Sequence, residues 1–182
     1  VVVGGGPGGM AAALLLEQSG FDTHLYESRD FLGGGIVASA TPPGKDKLFW
    51  YRDYLAARIK ESDLTLHLGE NATADVIAKM NPDITLIAAG TKRRDMPIKG
   101  LDSPMVIDAY DVLMGEKDAG LKAADKAVVY GGGETGCETA EFLAELGVHV
   151  RLVSRSPAST LARSAEWVYR RGLVDRLHSN PL

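Results

Sequence analysis

Apolar and glycine-rich segments alternate over residues 1–27 in the order strand, turn, helix, strand. Val1–Val3 is a continuous apolar run, which is typical of a strand buried in a parallel sheet. The segment GGGPGG interrupts it, and Met10–Ser19, rich in Ala and Leu, predicts a helix that ends before Gly20. Thr23–Tyr26 predicts a second strand, so we expect a βαβ unit. Because strands average about five or six residues, we expect the first strand to begin upstream.

The pattern over residues 28–126 predicts loops, helices and strands in alternation. Residues 28–47 contain LGGG and TPPGK and predict a long loop. Leu48–Ser62 predicts a helix, because its apolar residues recur near the helical period. The remaining predictions are strands at Leu64–Leu68 and Ile84–Ala88, short helices at Thr73–Met80 and Asp108–Met114, a connector over 91–104 and a polar linker up to Lys126.

A second strand–turn–helix–strand pattern, AVVYGGGETGCETAEFLAELGVHVRLVSR, occupies residues 127–155 and repeats the first. A shift of 127 positions, which takes Gly4 to Gly131, aligns the two patterns without a gap. After it, Ser164–Ser179 predicts a helix bent or interrupted at Gly172. The repeat predicts an α/β fold of two Rossmann-like three-layer units with parallel sheets, which we divide into residues 1–100 and 101–182.

The first glycine turn has the spacing of a dinucleotide-binding motif, with a strand before it and a helix after it. Gly4 permits a tight turn, Gly6 lets a pyrophosphate approach the backbone, and Gly9 lets the helix pack against the strand. Amides near Gly8 and Gly9, just after Pro7, face phosphate at the positive end of the helix dipole. The alternative is a glycine-rich turn that binds nothing.

Glu27 follows the second predicted strand, about twenty residues after the turn. A carboxylate at this position accepts hydrogen bonds from the ribose hydroxyls of an adenosine. We therefore predict that Glu27 and the adjacent Ser28 contact the nucleotide. The alternative is a solvated charge at the end of a strand.

The second turn predicts a further nucleotide site at Gly131, Gly133, Glu134, Thr135 and Gly136. Here Ser154 stands where the first copy has Glu27, and Arg155 follows it. A hydroxyl and a guanidinium suit a ribose 2′-phosphate, so this site favours NADPH. The alternative is an exposed Arg155 without a cofactor contact. Glu134 and Glu138 flank the turn, and an anion gains nothing from them.

The composition argues against several classes of function. The net charge is −4 and the Lys and Arg residues are scattered, so the sequence has no basic cluster of the kind that binds nucleic acid or an anionic membrane. No apolar run is long enough to span a bilayer. The only cysteine, Cys137, rules out a disulfide within the sequence and favours a cytoplasmic location. We interpret it as a small packing residue rather than a redox group. The four histidines show no metal-ligand spacing.

The glycine turn with Glu27, LGGG, TPPGK, DITLIAAGTKRRDMPIKGLD and VVYGGGETGCETAEFLAELG resemble the two-dinucleotide-binding flavoproteins. They look most like the C-terminal half of Old Yellow Enzyme-type NADH:flavin oxidoreductases, the group of 2,4-dienoyl-CoA reductase and the trimethylamine and histamine dehydrogenases. The sequence lacks the dithiols of glutathione-reductase-like enzymes and of thioredoxin reductases. The glutamate synthase small subunit remains an alternative relative.

The resemblance implies part of an FAD domain followed by part of an inserted NAD(P)-binding domain. It implies that Gly34, Ala89 and Gly90 approach the flavin nucleotide, with Ala89 replacing the usual Thr. An N-terminal flavin barrel with FMN and an iron–sulfur cluster would complete the enzyme, so we expect these 182 residues alone to be inactive. The function implied is electron transfer between NAD(P)H and FAD. The alternative is a structural module that holds ADP without hydride transfer.

Overall fold

The computed structural model describes residues 1–92, 96–115 and 120–179. The chain divides into two compact units, Val1–Val37 with Lys47–Pro97, and Ala38–Asp46 with Ile98–Leu182. Segment Ala38–Asp46 thus groups with the second unit, although it lies within the first predicted domain. Parts of the predicted connector, at 93–95, and of the predicted linker, at 116–119, lie outside the described residues.

The first unit is built on a parallel four-stranded sheet in the order β3-β2-β1-β4. Its strands are β1 (Val2–Val3), β2 (His24–Glu27), β3 (Thr65–Leu68) and β4 (Leu86–Ile87). The helices that begin in this unit are α1 (Pro7–Gln18), α2 (Gly35–Ala40), α3 (Leu48–Glu61) and α4 (Ala74–Met80). Because the strands are parallel, the carboxyl ends of β1, β2 and β4 meet at one edge of the sheet, where the glycine turn begins.

The core of the first unit lies between the sheet and two helices. Met10 and Ala13 of α1 are fully buried against Val2 and Leu25 of the central strands. Leu55, from α3, joins the same cluster. This packing fixes α1 on the sheet, and with it the glycine turn that leads into α1.

The second unit contains a parallel pair of strands, β5 (Lys126–Tyr130) and β6 (His149–Val153). Its helices are α5 (Ala109–Met114), α6 (Glu134–Glu145) and α7 (Trp167–Ser179), with a short 3-10 turn at Ala158–Thr160. Ala140 of α6 packs with Val129 and Val150 of the strands, and Leu173 of α7 completes this core. The two glycine turns therefore follow strands of two different parallel sheets, which confirms the predicted α/β fold class.

Three sequence predictions need correction. The predicted loop over 28–47 contains helix α2, because GIVASA carries no residue that breaks a helix internally. Helix α1 starts at Pro7 rather than at Met10, since proline is well suited to the first helical position. Helix α7 runs without a break through Gly172, because burial of its apolar residues outweighs the roughly 1 kcal/mol that a glycine costs in a helix.

Two of the four histidines, which show no metal-ligand spacing in the sequence, meet in the folded chain. His24 Nδ1 and His67 Nε2 lie 2.9 Å apart across the parallel strands β2 and β3. Across 1–92, 96–115 and 120–179, no group of three His, Cys, Asp or Glu side chains is arranged to hold a metal ion. A search of the same residues finds no helix with the length and apolarity needed to cross a membrane.

Candidate nucleotide-binding sites

Two glycines of the first turn are required by close packing of the backbone. Gly4 has φ +109°, and a Cβ there would overlap the carbonyl oxygen of Ala88. A Cβ on Gly9 would overlap the carbonyl oxygen of Gly4. These glycines therefore let β1, the turn and α1 come together at the edge of the sheet.

Gly6 is different, because its missing side chain leaves open space. A Cβ on Gly6 would have only Gly34 Cα near it, at 4.0 Å, and Gly8 has no neighbour within 4 Å of that position. Gly6 is the N-cap of α1 and no side chain caps the helix, while Pro7 has no N–H. The first-turn amides of Gly8 and Gly9 lack helical acceptors and are thus available to an anion.

Glu27 lies beside this turn and is only 4% exposed. Its Oε2 accepts a hydrogen bond from the Gly5 amide at 2.7 Å. Its Oε1 accepts from the Arg29 amide at 2.8 Å and from the Ser28 hydroxyl at 3.2 Å. A carboxylate has about four acceptor positions, so the protein uses three and leaves about one for a ligand.

The residues named by family resemblance lie against the same turn. Gly34 has φ +49°, and a Cβ there would sit 2.9 Å from Gly6 Cα. A Cβ on Gly4 would sit 3.0 Å from Ala89 Cα, and Gly90 follows with φ +75° and an open, exposed surface. Pairing of β4 with β1 brings this segment to the glycine turn.

The second turn repeats the geometry of the first. Gly131 has φ +137°, and a Cβ on Gly136 would overlap its carbonyl oxygen. Gly133 is an N-cap without a side-chain cap, and a Cβ there would meet nothing within 4 Å. The backbone amide of Thr135 belongs to the first turn of α6, which begins at Glu134. The second site is therefore also an uncapped helix start with open space at its middle glycine.

Ser154 occupies the position that Glu27 has in the first unit. A Cβ on Gly132 would overlap the Ser154 hydroxyl, as one on Gly5 would crowd the Glu27 carboxylate. The Ser154 Oγ accepts from the Ser156 amide at 3.0 Å, which matches the bond from Arg29 to Glu27. Arg155, the next residue, is exposed.

Lys45 is the important residue that sequence reasoning missed. Its Nζ lies 3.2 Å from Glu134 Oε1 and also forms an ion pair with Glu138, which is 4% exposed. Lys45 also lies 4.7 Å from the centre of the Tyr169 ring. These partners are 89 and 93 residues from Lys45 in the sequence, so no local pattern indicated the contact.

Tyr169 completes this cluster by donating a hydrogen bond to Glu138 Oε1 at 2.7 Å. Burial, together with the Glu138 carboxylate, raises the pKa of the Tyr169 phenol far above its ordinary value. The phenol therefore remains a neutral donor at physiological pH. With an ammonium and a phenol bound to it, Glu138 is compensated rather than free to repel an anion.

Cys137 is fully buried in the first turn of α6, with its Sγ 3.7 Å from the Gly132 carbonyl oxygen. Burial raises the pKa of the Cys137 thiol above its ordinary value, so the thiolate is disfavoured. This environment suits the predicted packing role.

Residues 1–170 match the sequence model of the family described as pyridine nucleotide-disulphide oxidoreductase. The chain belongs to this family. Its only cysteine is the buried Cys137, so these 182 residues carry no dithiol despite the family's description. FAD and NAD(P), the cofactors predicted from the sequence, are those of this flavoprotein family.

Relatives and solved structures identify the branch of the family. The chain is 39% identical to an NADH oxidase of Thermoanaerobacter brockii over 84% of this chain and 24% of the relative. It is 39% identical to a bilirubin reductase of Mediterraneibacter gnavus over 84% of this chain and 23% of the relative. A structure of 2-naphthoyl-CoA reductase matches 97% of this chain and 27% of its own, with a TM-score of 0.84 and 31% identity.

The predicted resemblance to Old Yellow Enzyme-type oxidoreductases is confirmed by these matches. The structure of histamine dehydrogenase from Rhizobium sp. 4-9, named within that group, covers 98% of this chain and 29% of its own, with 25% identity and a TM-score of 0.77. The chain spans about a quarter of the length of the relatives it matches. The comparisons favour an oxidoreductase over a purely structural nucleotide module.

Proposed function

We propose that the first unit binds FAD, the second unit binds NAD(P)H, and electrons pass between the two cofactors. The FAD site comprises Gly4, Gly6, Pro7, Gly8, Gly9, Glu27, Ser28, Gly34, Ala89 and Gly90. The NAD(P)H site comprises Gly131, Gly133, Glu134, Thr135, Gly136, Ser154 and Arg155. All residues of the proposed FAD site lie in the first unit, and all residues of the proposed NAD(P)H site lie in the second.

The buried Glu27 carboxylate supports the FAD site most strongly. The Gly5 amide holds it at the glycine turn, and about one of its acceptor positions is left for a ribose hydroxyl. The open space at Gly6 and the uncapped start of α1 lie beside it and suit a pyrophosphate. A ribose acceptor and a phosphate site therefore stand next to each other, as the ADP part of FAD requires.

Lys45 supports the second site by compensating charge. Glu134 and Glu138 place two carboxylates beside an uncapped helix start, where they would repel a pyrophosphate. The ion pairs with Lys45 reduce this repulsion, because its one positive charge offsets one of the two negative charges. The second turn thus keeps an anion site in spite of its acidic flanks.

Within that site we propose a preference for NADPH over NADH. Ser154 removes the carboxylate that would repel a 2′-phosphate, and Arg155 supplies a guanidinium for two parallel hydrogen bonds. Arg155 is exposed and therefore accessible to a ligand. The cofactors supply the hydride chemistry when bound, while this chain's residues bind and orient them.

The chain spans about a quarter of the length of the relatives it matches, and we propose that its partner in catalysis lies outside these residues. We propose an N-terminal flavin barrel with FMN and an iron–sulfur cluster as that partner, on the basis of the family resemblance. We also propose a cytoplasmic location, which the single cysteine favours.

Anaerobic reduction of the full-length protein tests this function. Mixing the flavin-loaded protein with NADPH or NADH should bleach the absorbance of the oxidised flavin, faster with NADPH. Failure of both nucleotides to reduce the flavin, although both bind, would contradict electron transfer between the two sites. An equal or higher efficiency with NADH would contradict only the NADPH preference.

A further inference from the structure

The loop after β6, residues 154–162, carries Ser154 and Arg155 and is fastened by a side chain that the proposed site does not include. Arg170 of α7 donates from Nε to the Leu161 carbonyl oxygen at 2.7 Å. It donates from Nη2 to the Ser159 carbonyl oxygen at 2.6 Å. One guanidinium therefore ties two carbonyls of this loop to helix α7.

The other end of the loop returns to the second glycine turn. The Ala162 amide donates to the Gly132 carbonyl oxygen at 2.8 Å, and Ala162 is fully buried with φ +49°. A positive φ is rarely adopted by alanine, so surrounding contacts must hold this residue. At the start of the loop, Ser154 lies so close to the same Gly132 that a Cβ there would overlap its hydroxyl. The loop thus begins and ends on the glycine turn, and Arg170 holds the part between.

We propose that Arg170 is a positioning residue for coenzyme discrimination, which fixes the loop that presents Ser154 and Arg155 to the adenosine ribose. The inference rests on the proposed NADPH site. A planar guanidinium can donate to two carbonyls at once, whereas an ammonium is a compact point charge on a flexible stem. Arg170 acts through the loop, because it donates to two of the loop's backbone carbonyls.

This role predicts a change in selectivity more than in overall binding. The pyrophosphate amides belong to α6, and Arg170 donates to carbonyls of the loop rather than to α6 or to the glycine turn. Arg155 depends on the loop, because its backbone position is set by the anchored segment. Loss of Arg170 should therefore weaken NADP⁺ binding and leave NAD⁺ binding nearly unchanged.

The test is calorimetry on the full-length protein, with saturating FAD to occupy the first turn. It measures the Kd for NAD⁺ divided by the Kd for NADP⁺, a ratio that is above one when NADP⁺ binds more tightly. We expect Arg170→Ala to lower this ratio by about tenfold, the effect of losing one charge-assisted contact to the 2′-phosphate. Arg170→Lys should lower it by less. Methylguanidinium added to the Ala variant should restore it, which a loss of general stability would not allow.

Arg171→Ala is the matched control, because Arg171 is the exposed neighbour on the same helix and the charge change is identical. It should retain the wild-type ratio. An unchanged ratio in Arg170→Lys and Arg170→Ala, together with a loss in Arg155→Ala, would overturn the positioning role and leave the NADPH site intact. A wild-type ratio near one that Arg155→Ala does not alter would overturn both. If Arg170→Ala does not fold, the Lys variant decides, and an unchanged ratio there overturns the proposal.

Discussion

Lys45 Nζ lies 3.2 Å from the carboxylate of Glu134, the first residue of helix α6. This pair joins segment Ala38–Asp46 to the start of helix α6, within one compact unit. In the sequence, Glu134 and Glu138 argue against an anion site at this turn. In the structure both carboxylates have Lys45 as a counter-ion, so this objection is weaker.

Replacing Lys45 by Met should therefore weaken NADPH binding. Two carboxylates would then face the pyrophosphate without a cation, and we expect a loss of about tenfold in affinity, as for about 1.4 kcal/mol of repulsion. Calorimetry with the full-length protein measures it. Lys47→Met is the control, because Lys47 is exposed and its ammonium lies over the Trp50 ring, 5.9 Å from the ring centre. The combined change with Glu138→Gln should recover part of the affinity, and an unaltered affinity in Lys45→Met would remove the pair from the site.

Replacing Glu27 by Gln should weaken FAD binding. The carboxylate has about one acceptor position left, so a single charge-assisted hydrogen bond is at stake, worth about 1.5–3 kcal/mol. Glutamine has only one side-chain oxygen, so it cannot accept hydrogen bonds from the backbone N–H groups of Gly5 and Arg29 as the two carboxylate oxygens do. The turn itself should therefore loosen. Ultrafiltration of bound flavin measures the change, with Glu61→Gln at the exposed end of α3 as the control. Equal flavin retention in Glu27→Gln and wild type would exclude Glu27 from the site.

Cys137 should react slowly with iodoacetamide in the folded protein. Because burial raises the pKa of its thiol, the folded state favours the protonated form, which is the unreactive one. The stability that this group contributes is complete below the ordinary thiol pKa and is lost as the pH rises through the raised value. The sequence has a single cysteine, so alkylation followed by mass measurement is unambiguous. Rapid labelling at neutral pH, without denaturant, would contradict the packing role.

Breaking the pair between Glu141 and Arg176 should destabilise the second unit. Glu141 is 4% exposed, and both its oxygens accept from the Arg176 guanidinium, which raises the pKa of that arginine. Arg176→Met leaves the buried carboxylate without this partner, and we expect a loss on the order of 1–3 kcal/mol in the free energy of unfolding. Urea denaturation measures it. The double variant with Glu141→Gln should be more stable than Arg176→Met alone, and the opposite order would contradict this account.

The sequence predicted features that depend on neighbouring residues and on the repeat. The turns at Gly4 and Gly131 followed from glycine spacing between a strand and a helix, and the alignment of Ser154 with Glu27 followed from the ungapped shift. In the structure Glu27 lies against Gly5, and Ser154 lies against the equivalent Gly132. Local patterns of this kind follow from backbone geometry and are visible without a fold.

Contacts between distant segments could not be predicted in this way. Lys45 is separated from Glu138 by 93 residues, and its position in TPPGK predicted only a loop. Arg170 donates to backbone carbonyls, which every residue has. The sequence therefore could not indicate that Ser159 and Leu161 are its partners. Both side chains became recognisable only when tertiary packing brought their partners together.

We propose that each glycine turn binds its own cofactor, and a matched pair of substitutions tests this assignment. Gly6 and Gly133 have backbone angles that any residue can adopt, and a Cβ at either position meets nothing closer than 4.0 Å. Alanine should therefore leave the fold intact and obstruct only the approach of a pyrophosphate.

The decisive measurement is the Kd for FAD and for NADPH in the full-length wild type, Gly6→Ala and Gly133→Ala proteins. We expect Gly6→Ala to weaken FAD binding and leave NADPH binding unchanged, and Gly133→Ala to weaken NADPH binding and leave FAD binding unchanged. Equal losses of both cofactors in either variant, or no loss in both, would contradict the assignment of one cofactor to each turn.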